Sequence, residues 1–219
     1  MPASLLLPEE ACTLCAGVHV QPAAGAAGFF HCRVCDVRFL HSSLRLTAAE
    51  EESRYRAHNN DPADLGYRAF LQPLVSALAP HLPRESNGLD FGCGPGPLLS
   101  MMWCELGFKM DTYDPIFQPQ EPSHETRFDF VTLSEVAEHL FTPLAEFRRL
   151  HSWLRPGGWL GVMTALTDPP VDFASWYYRR DPTHVVFYSR RSFEWLAHAL
   201  KFNPPRFHSE RVILLQRPV

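Results

Sequence analysis

The chain of 219 residues lacks several things that would narrow its function at once. It has no excess of positive charge: 20 Lys and Arg stand against 24 Asp and Glu, for a formal net charge of −4. A protein that lives by gripping phosphate backbones carries a basic surplus, so a nucleic-acid partner is not expected. No apolar run approaches the ~18–20 residues that span a bilayer, so no membrane partner is expected. Met1 to Glu10 places no positive charge ahead of Leu5-Leu6-Leu7 and meets Pro8 and two acids at once. That is not the pattern of a secretory signal, and a cytoplasmic location is the expectation. Repeats and low-complexity tracts are also missing, apart from a loose Ala/Gly-rich stretch over 21–28. Hydrophobic residues at 46% and charged ones at 20% are ordinary for a globular chain.

What is present divides into three stretches: 1–45, a helical connector or cover over 46–84, and 85–219. The first holds Cys12-x2-Cys15 and Cys32-x2-Cys35. In a reducing compartment two short-spaced pairs close a tetrahedral thiolate shell, which suits a zinc ribbon better than disulfides. All four positions would be filled by protein, so the ion would be structural. A segment this small buries little apolar surface, and ion binding would supply much of its folding energy. Cys93 and Cys104 read as small apolar residues.

In the connector, Thr47 is placed to cap a helix entering Ala48-Ala49-Glu50-Glu51-Glu52, where acids favour the first turn. A second helix is predicted from about Leu65 to Leu78, with Tyr67, Phe70, Leu71, Leu74 and Leu78 on one face. From 85 onward, short apolar strands alternate with amphipathic helices. Strands are predicted at 88–91, 109–113, 128–133, 159–164 and 211–216. Helices are predicted from Leu98 to a stop at Gly107, after Thr142-Pro143, and after a Ser189 cap. Arg155-Pro156-Gly157-Gly158 reads as a turn. Such alternation implies a doubly wound α/β domain with an open, mostly parallel sheet.

The loop Asp90-Phe91-Gly92-Cys93-Gly94-Pro95-Gly96 joins the first of these strands to a helix, at the sheet edge where such folds bind ligands. A dinucleotide fingerprint would need glycine at 97, which is proline. Pro95 and Pro97 also remove amides that a diphosphate would use. A ligand with a zwitterionic amino-acid tail needs fewer amides and one carboxylate near its ammonium group, which Asp90 can provide. Asp114, at the end of the next strand, is placed to accept hydrogen bonds from a ribose diol.

These residues, with Phe128-Asp129-Phe130-Val131-Thr132-Leu133-Ser134-Glu135, Glu138-His139-Leu140 and Leu154-Arg155-Pro156-Gly157-Gly158, resemble the class I S-adenosylmethionine-dependent methyltransferases. The motifs run in that family's order over about residues 85–165. The resemblance implies that the loop (Asp90, Gly92, Cys93, Gly94, Gly96) holds the methionine end of S-adenosyl-L-methionine. It implies that Asp114, with Pro115, holds the ribose, and that Ser134 and Glu135 flank the reacting methyl. The whole chain is also similar to small methyltransferases with an N-terminal zinc ribbon, through His58-Asn59-Asn60, Gly66-Tyr67 and the run from Trp176 to His184. His58, Asn59, Asn60, Tyr67, Tyr178 and Asp181 are therefore candidate substrate contacts. His184, His139 and Glu135 are candidate proton acceptors for an amine or alcohol substrate. His139 follows Glu135 by one helical turn, so the two are expected to share a face.

One departure from that family stands out. Only 13 residues separate Asp114 from Phe128, with three prolines among them, too few for the usual helix plus strand. The family's third strand and its adenine-binding residue are expected to be missing. Three functions remain open on sequence: a small-molecule methyltransferase, an RNA or protein methyltransferase that docks through the ribbon, and a non-catalytic cofactor-binding protein. Residues 1–60 hold five arginines and six acids, so the ribbon carries no electrostatic footprint for RNA.

Overall fold

The computed structural model describes residues 10–56 and 63–219. Three short antiparallel strands open the chain: β1 (Val20–Pro22), β2 (Phe29–Cys32) and β3 (Arg38–Leu40). Two helices follow, α1 (Ala48–Arg56) and α2 (Leu65–Leu78). Thr47 and Glu50 form a reciprocal cap on α1: the Glu50 carboxylate accepts from the Thr47 N–H at 2.8 Å and its hydroxyl at 2.7 Å. Asp64 caps α2 by accepting from the N–H groups of Gly66 and Tyr67.

The remaining elements are β4 (Asn87–Phe91), α3 (Leu98–Glu105), β5 (Lys109–Tyr113), β6 (Phe128–Ser134), α4 (Pro143–Trp153), β7 (Leu154–Met163), β8 (Val186–Phe187), α5 (Arg190–Leu200), β9 (Arg206–Phe207) and β10 (Val212–Gln216). Six of the strands form one sheet in the order β5-β4-β6-β7-β10-β9. The first four run parallel, and β10 pairs antiparallel with β7 and β9. This is a Rossmann-like sheet, mostly parallel, with helices on both faces, as the alternation predicts.

Packing explains the layering. On one face, Leu71, Leu74 and Leu78 of α2 meet Leu99, Met102 and Trp103 of α3 over Phe130 and Leu214. On the other, Phe147 and Leu150 of α4 and Phe193 and Leu196 of α5 cover Leu89, Val131 and Leu160. Each such side chain contributes about 1.5–3 kcal/mol when fully removed from water. Gly88 of β4 is required by this packing, because a Cβ there would lie 2.3 Å from the Phe130 ring. The interior of the N-terminal unit, including Cys32, Val37 and Phe39, is continuous with the second of these layers. Its strands are joined edge to edge by β8, which pairs with β3.

Two details bear on the sequence reading. The connector after β5 holds neither a helix nor a full strand, only an isolated bridge between Asp114 and Gln118. β5 is therefore the sheet edge, and the expected loss of a third strand is seen. The Arg155–Gly158 turn, by contrast, is absorbed into β7 as a bulge: Phe128 pairs with Leu154, but Phe130 pairs with Trp159. Arg155 holds the bulge by donating to the Asp129 carboxylate at 2.6 Å.

Candidate active site

The loop after β4 turns sharply because Gly92 and Gly94 adopt φ of +76° and +65°, a region that only glycine enters without strain. At Gly92 a Cβ would also lie 2.4 Å from the Val136 side chain, so the loop backbone packs directly on a side chain of the segment after β6. The Gly92 N–H donates to the Tyr113 carbonyl at 2.7 Å, tying the loop to the end of β5. Asp114, at that end, accepts from the N–H groups of Gly94 (3.1 Å), Ile116 (2.9 Å) and Phe117 (3.0 Å). Three of the roughly four lone-pair positions of its carboxylate are thus occupied by backbone. These groups border a cavity of about 830 Å³, which also meets Pro115 and Ser134. Ser134 Oγ is buried there with no partner among the described residues. A glycine-lined backbone, a carboxylate held at a strand end and an orphaned hydroxyl suit a ligand with a sugar and an amino-acid tail.

The other wall of the cavity carries titratable groups from four segments: Tyr55 of α1, Tyr67 of α2, Glu135 and His139 after β6, and Asp181 and His184 before β8. Glu135 sits at φ +52°, a strained conformation for a non-glycine residue. Its carboxylate lies 3.3 Å from Arg211 and 3.1 Å from the Tyr178 hydroxyl. Burial, followed by the charge of Glu138, pushes Glu135 up to about 8, against the pull of Arg211 and Tyr178. Glu138 is fully buried and also raised by desolvation. It accepts from the hydroxyls of Thr164 (2.8 Å) and Tyr178. His184, 9% exposed, donates Nδ1–H to the Tyr178 carbonyl at 2.7 Å. Burial lowers its pKa, so its ring is neutral near pH 7 with the lone pair on Nε2. Tyr67 is driven up to about 12 by burial and is a neutral hydroxyl.

The residues singled out from sequence distribute unevenly. Gly92, Cys93, Gly94, Asp114, Pro115, Ser134, Glu135, Tyr67, His139, Asp181 and His184 all border the cavity. Asp90 and Gly96 do not. The Asp90 carboxylate is 3% exposed and points behind the loop, where it accepts from Thr132 (3.0 Å) and Ser100 (3.2 Å). Burial raises it to about 6. Tyr178 also lies behind the wall, 5% exposed, linking Glu135 to Glu138. His58, Asn59 and Asn60 lie outside the described residues. Glu135 and His139 do meet the same cavity, but not on an α-helix. A 3-10 turn at Ala137–His139 follows the left-handed Glu135. Sequence reading missed Arg211, whose partner lies 76 residues away, and Glu138 as a buried acid. It also missed Glu146 and Arg149 of α4, which border the cavity beside Tyr113. No periodicity signals such contacts.

In the N-terminal unit, the four cysteines converge. The Sγ atoms of Cys12 and Cys35 lie 3.4 Å apart, and those of Cys15 and Cys32 3.5 Å apart. All four lie within 4.8 Å of one another. Tetrahedral zinc–sulfur bonds of about 2.3 Å require sulfurs about 3.8 Å apart, so this donor set fits the ion.

Residues 64–204 match the methyltransferase-domain family. The chain belongs to that family, and its fold is that of the S-adenosylmethionine-dependent class I methyltransferases. A stretch of 85 residues, 38% of this chain, is 31% identical to the ubiquinone biosynthesis O-methyltransferase of Marinobacter nauticus; the match spans only 36% of that protein. Among solved structures, the 1,6-didemethyltoxoflavin-N1-methyltransferase of Burkholderia thailandensis, bound to 1,6-didemethyltoxoflavin and S-adenosylhomocysteine, is similar with a TM-score of 0.56 and 17% identity, over 86% of this chain and 99% of that one. An O-methyltransferase family protein from the same organism is similar with a TM-score of 0.52 and 14% identity, over 77% of this chain and 62% of that one. Both likenesses are of fold. No described helix is long and apolar enough to cross a membrane.

Proposed function

We propose that the protein transfers a methyl group from S-adenosylmethionine to a nucleophile on a small molecule. The observation that carries this reading is the two-sided cavity, with the cofactor loop on one wall and a cluster of titratable groups on the other. Its volume of about 830 Å³ has room for two small ligands side by side but none for a folded partner. The named relatives fit the same substrate class, since ubiquinone precursors and didemethyltoxoflavin are small molecules.

When bound, the cofactor supplies an electrophilic methyl on a sulfonium. The protein's own residues position and desolvate. The Gly92–Pro95 backbone receives the amino-acid tail. Asp114 uses its remaining acceptor capacity on the ribose, and Ser134 Oγ supplies a hydroxyl to the cofactor's flank. Asp90 stiffens the loop from behind, through Ser100 and Thr132. On the facing wall, His184, His139 and Glu135 are the groups that loosen or receive the acceptor's proton, with Tyr67 and Asp181 orienting it. Tyr178 acts through Glu135 and Glu138 as a positioning residue.

The four cysteines hold a structural zinc ion in this reading, and the division at 1–45, 46–84 and 85–219 marks ribbon, cover and cofactor-binding domain. The ribbon adds β3 to β8 and so steadies the chain that carries Asp181 and His184. Calorimetric titration with S-adenosylmethionine and S-adenosylhomocysteine tests the cofactor reading, with binding of both expected. Absence of binding overturns it. Incubation of the protein and labelled donor with fractionated metabolite extracts tests the substrate class, with label expected in a fraction below about 1 kDa.

A further inference from the structure

The acceptor wall contains more than separate bases. Glu138, His139 and His184 present one Oε and two imidazole nitrogens within 4.8 Å of one another. The Nε2 atoms of His139 and His184 lie 3.9 Å and 4.0 Å from the same oxygen, Glu138 Oε1. The two rings meet edge to face, with centroids 4.7 Å apart.

Each imidazole is oriented by a main-chain carbonyl on the segment before β8. His184 Nδ1 lies 2.7 Å from the Tyr178 carbonyl, and His139 Nδ1 lies 3.0 Å from the Thr183 carbonyl. Donation from Nδ1–H selects the tautomer whose lone pair is on Nε2, the nitrogen nearest Glu138. That arrangement is how ligating histidines are held: one ring nitrogen on a carbonyl, the other aimed at the ion. The carboxylate is oriented in the same manner, by Thr164 on Oε2 and Tyr178 on Oε1.

Burial gives the energetic reason. Glu138 is 0% exposed, and a carboxyl held there is either protonated or, when ionised, balanced by a nearby cation. Among the described residues no Lys or Arg reaches within ion-pair distance of it, because Arg211 pairs with Glu135. Only the two imidazoles approach.

We propose that Glu138, His139 and His184 form a binding site for a divalent first-row transition-metal ion at the acceptor end of the cavity. Two imidazoles and one carboxylate on one side of an ion leave the opposite positions open. Ligand atoms around such an ion stand about 3–3.5 Å apart, so the observed 3.9–4.0 Å closes by a small rotation of the two rings. His139 and His184 border the cavity, which is the side from which a ligand could reach such an ion. Resting on the methyltransferase reading, this narrows the acceptor to a molecule with a hydroxyl, or an adjacent pair of oxygens, that ligates the ion. Ligation lowers the hydroxyl's pKa and fixes its oxygen relative to the cofactor.

The test uses the full chain with its four-cysteine site filled by zinc. Mn2+ is the probe, because thiolates disfavour it and an N2O site accepts it. Titration with MnCl2, followed by loss of the free-ion paramagnetic resonance signal and by calorimetry, is expected to show one bound Mn2+ per chain. Glu138→Gln, His139→Gln and His184→Gln should each weaken that binding at least 10-fold. His139 is on a partly exposed turn, so His139→Gln serves as the variant expected to keep the parent melting temperature. Absence of Mn2+ and of any Zn2+ beyond the four-cysteine equivalent overturns the site, as does binding unaltered in all three variants. Cofactor binding measured on the same samples separates the two readings. Cofactor bound without the ion removes only the metal site, and ion bound without cofactor removes only the methyltransferase reading.

Discussion

Two sites of this molecule gather their side chains in opposite ways. In the N-terminal unit, four cysteines from a 24-residue span meet through two tight turns and one hairpin. At the titratable wall of the cavity, Tyr55, Tyr67, Glu135, His139 and His184 come from segments separated by up to 129 positions and meet only because the sheet and its covering helices are assembled. The first site is written in local spacing, and on the zinc reading its strength would come from the bonds made to an ion. The second depends on every packed layer beneath it, and its chemistry comes from desolvation. A change in the first should therefore show mainly as lost stability, and a change in the second mainly as lost turnover.

The largest expected effect tests the first half of that contrast. Cys32→Ser should abolish stoichiometric zinc and remove much of the ~10–16 kcal/mol that a structural ion contributes to its unit. Elemental analysis and thermal melting check this, and an unchanged melting temperature would break the comparison. Next, His184→Gln should lower kcat by about 10²–10⁴-fold while leaving cofactor affinity within about 2-fold, measured by steady-state kinetics and calorimetry once an acceptor is found. Equal losses in binding and turnover would show that the two walls are not separable. Asp114→Ala should do the reverse of His184→Gln, weakening S-adenosylmethionine binding by about 10–100-fold through lost ribose contacts and a loosened Gly94.

The smallest effect is a pH dependence. Burial raises Asp90 from its ordinary 3.8 to about 6, so the folded protein favours the protonated acid. Its contribution is fully present below about pH 4 and is lost as pH rises through 6. Between pH 5 and 7 the parent should lose about 1 kcal/mol from this group, and Asp90→Asn should not. Denaturant unfolding of the cofactor-free protein at both pH values measures the difference.

Sequence reading succeeded where the signal is local. The bounds of α2 follow from apolar spacing, and the β4 loop follows from glycines that alone accept positive φ. The missing third strand follows from counting 13 residues with three prolines. It failed where a residue's neighbour is distant in the chain. Asp90 looks from its position like a ligand contact, yet its carboxylate turns inward to Ser100 and Thr132. Glu138 stands in the sequence beside His139 with nothing to mark it as buried, yet its side chain is 0% exposed, behind the cavity wall. The Arg155–Gly158 motif has the residues of a free turn, but Asp129 across the sheet draws it into a bulged strand.

Order along the chain was enough to specify the class of fold, the cysteine cluster and the glycine loop, because those rest on backbone torsion, short loop closure and alternation of apolar residues. Which acids are desolvated, which imidazole nitrogen faces inward and which distant arginine meets Glu135 emerged only on folding. Those properties are set by proximity in three dimensions and by the exclusion of water, and neither is encoded in the spacing of any one segment.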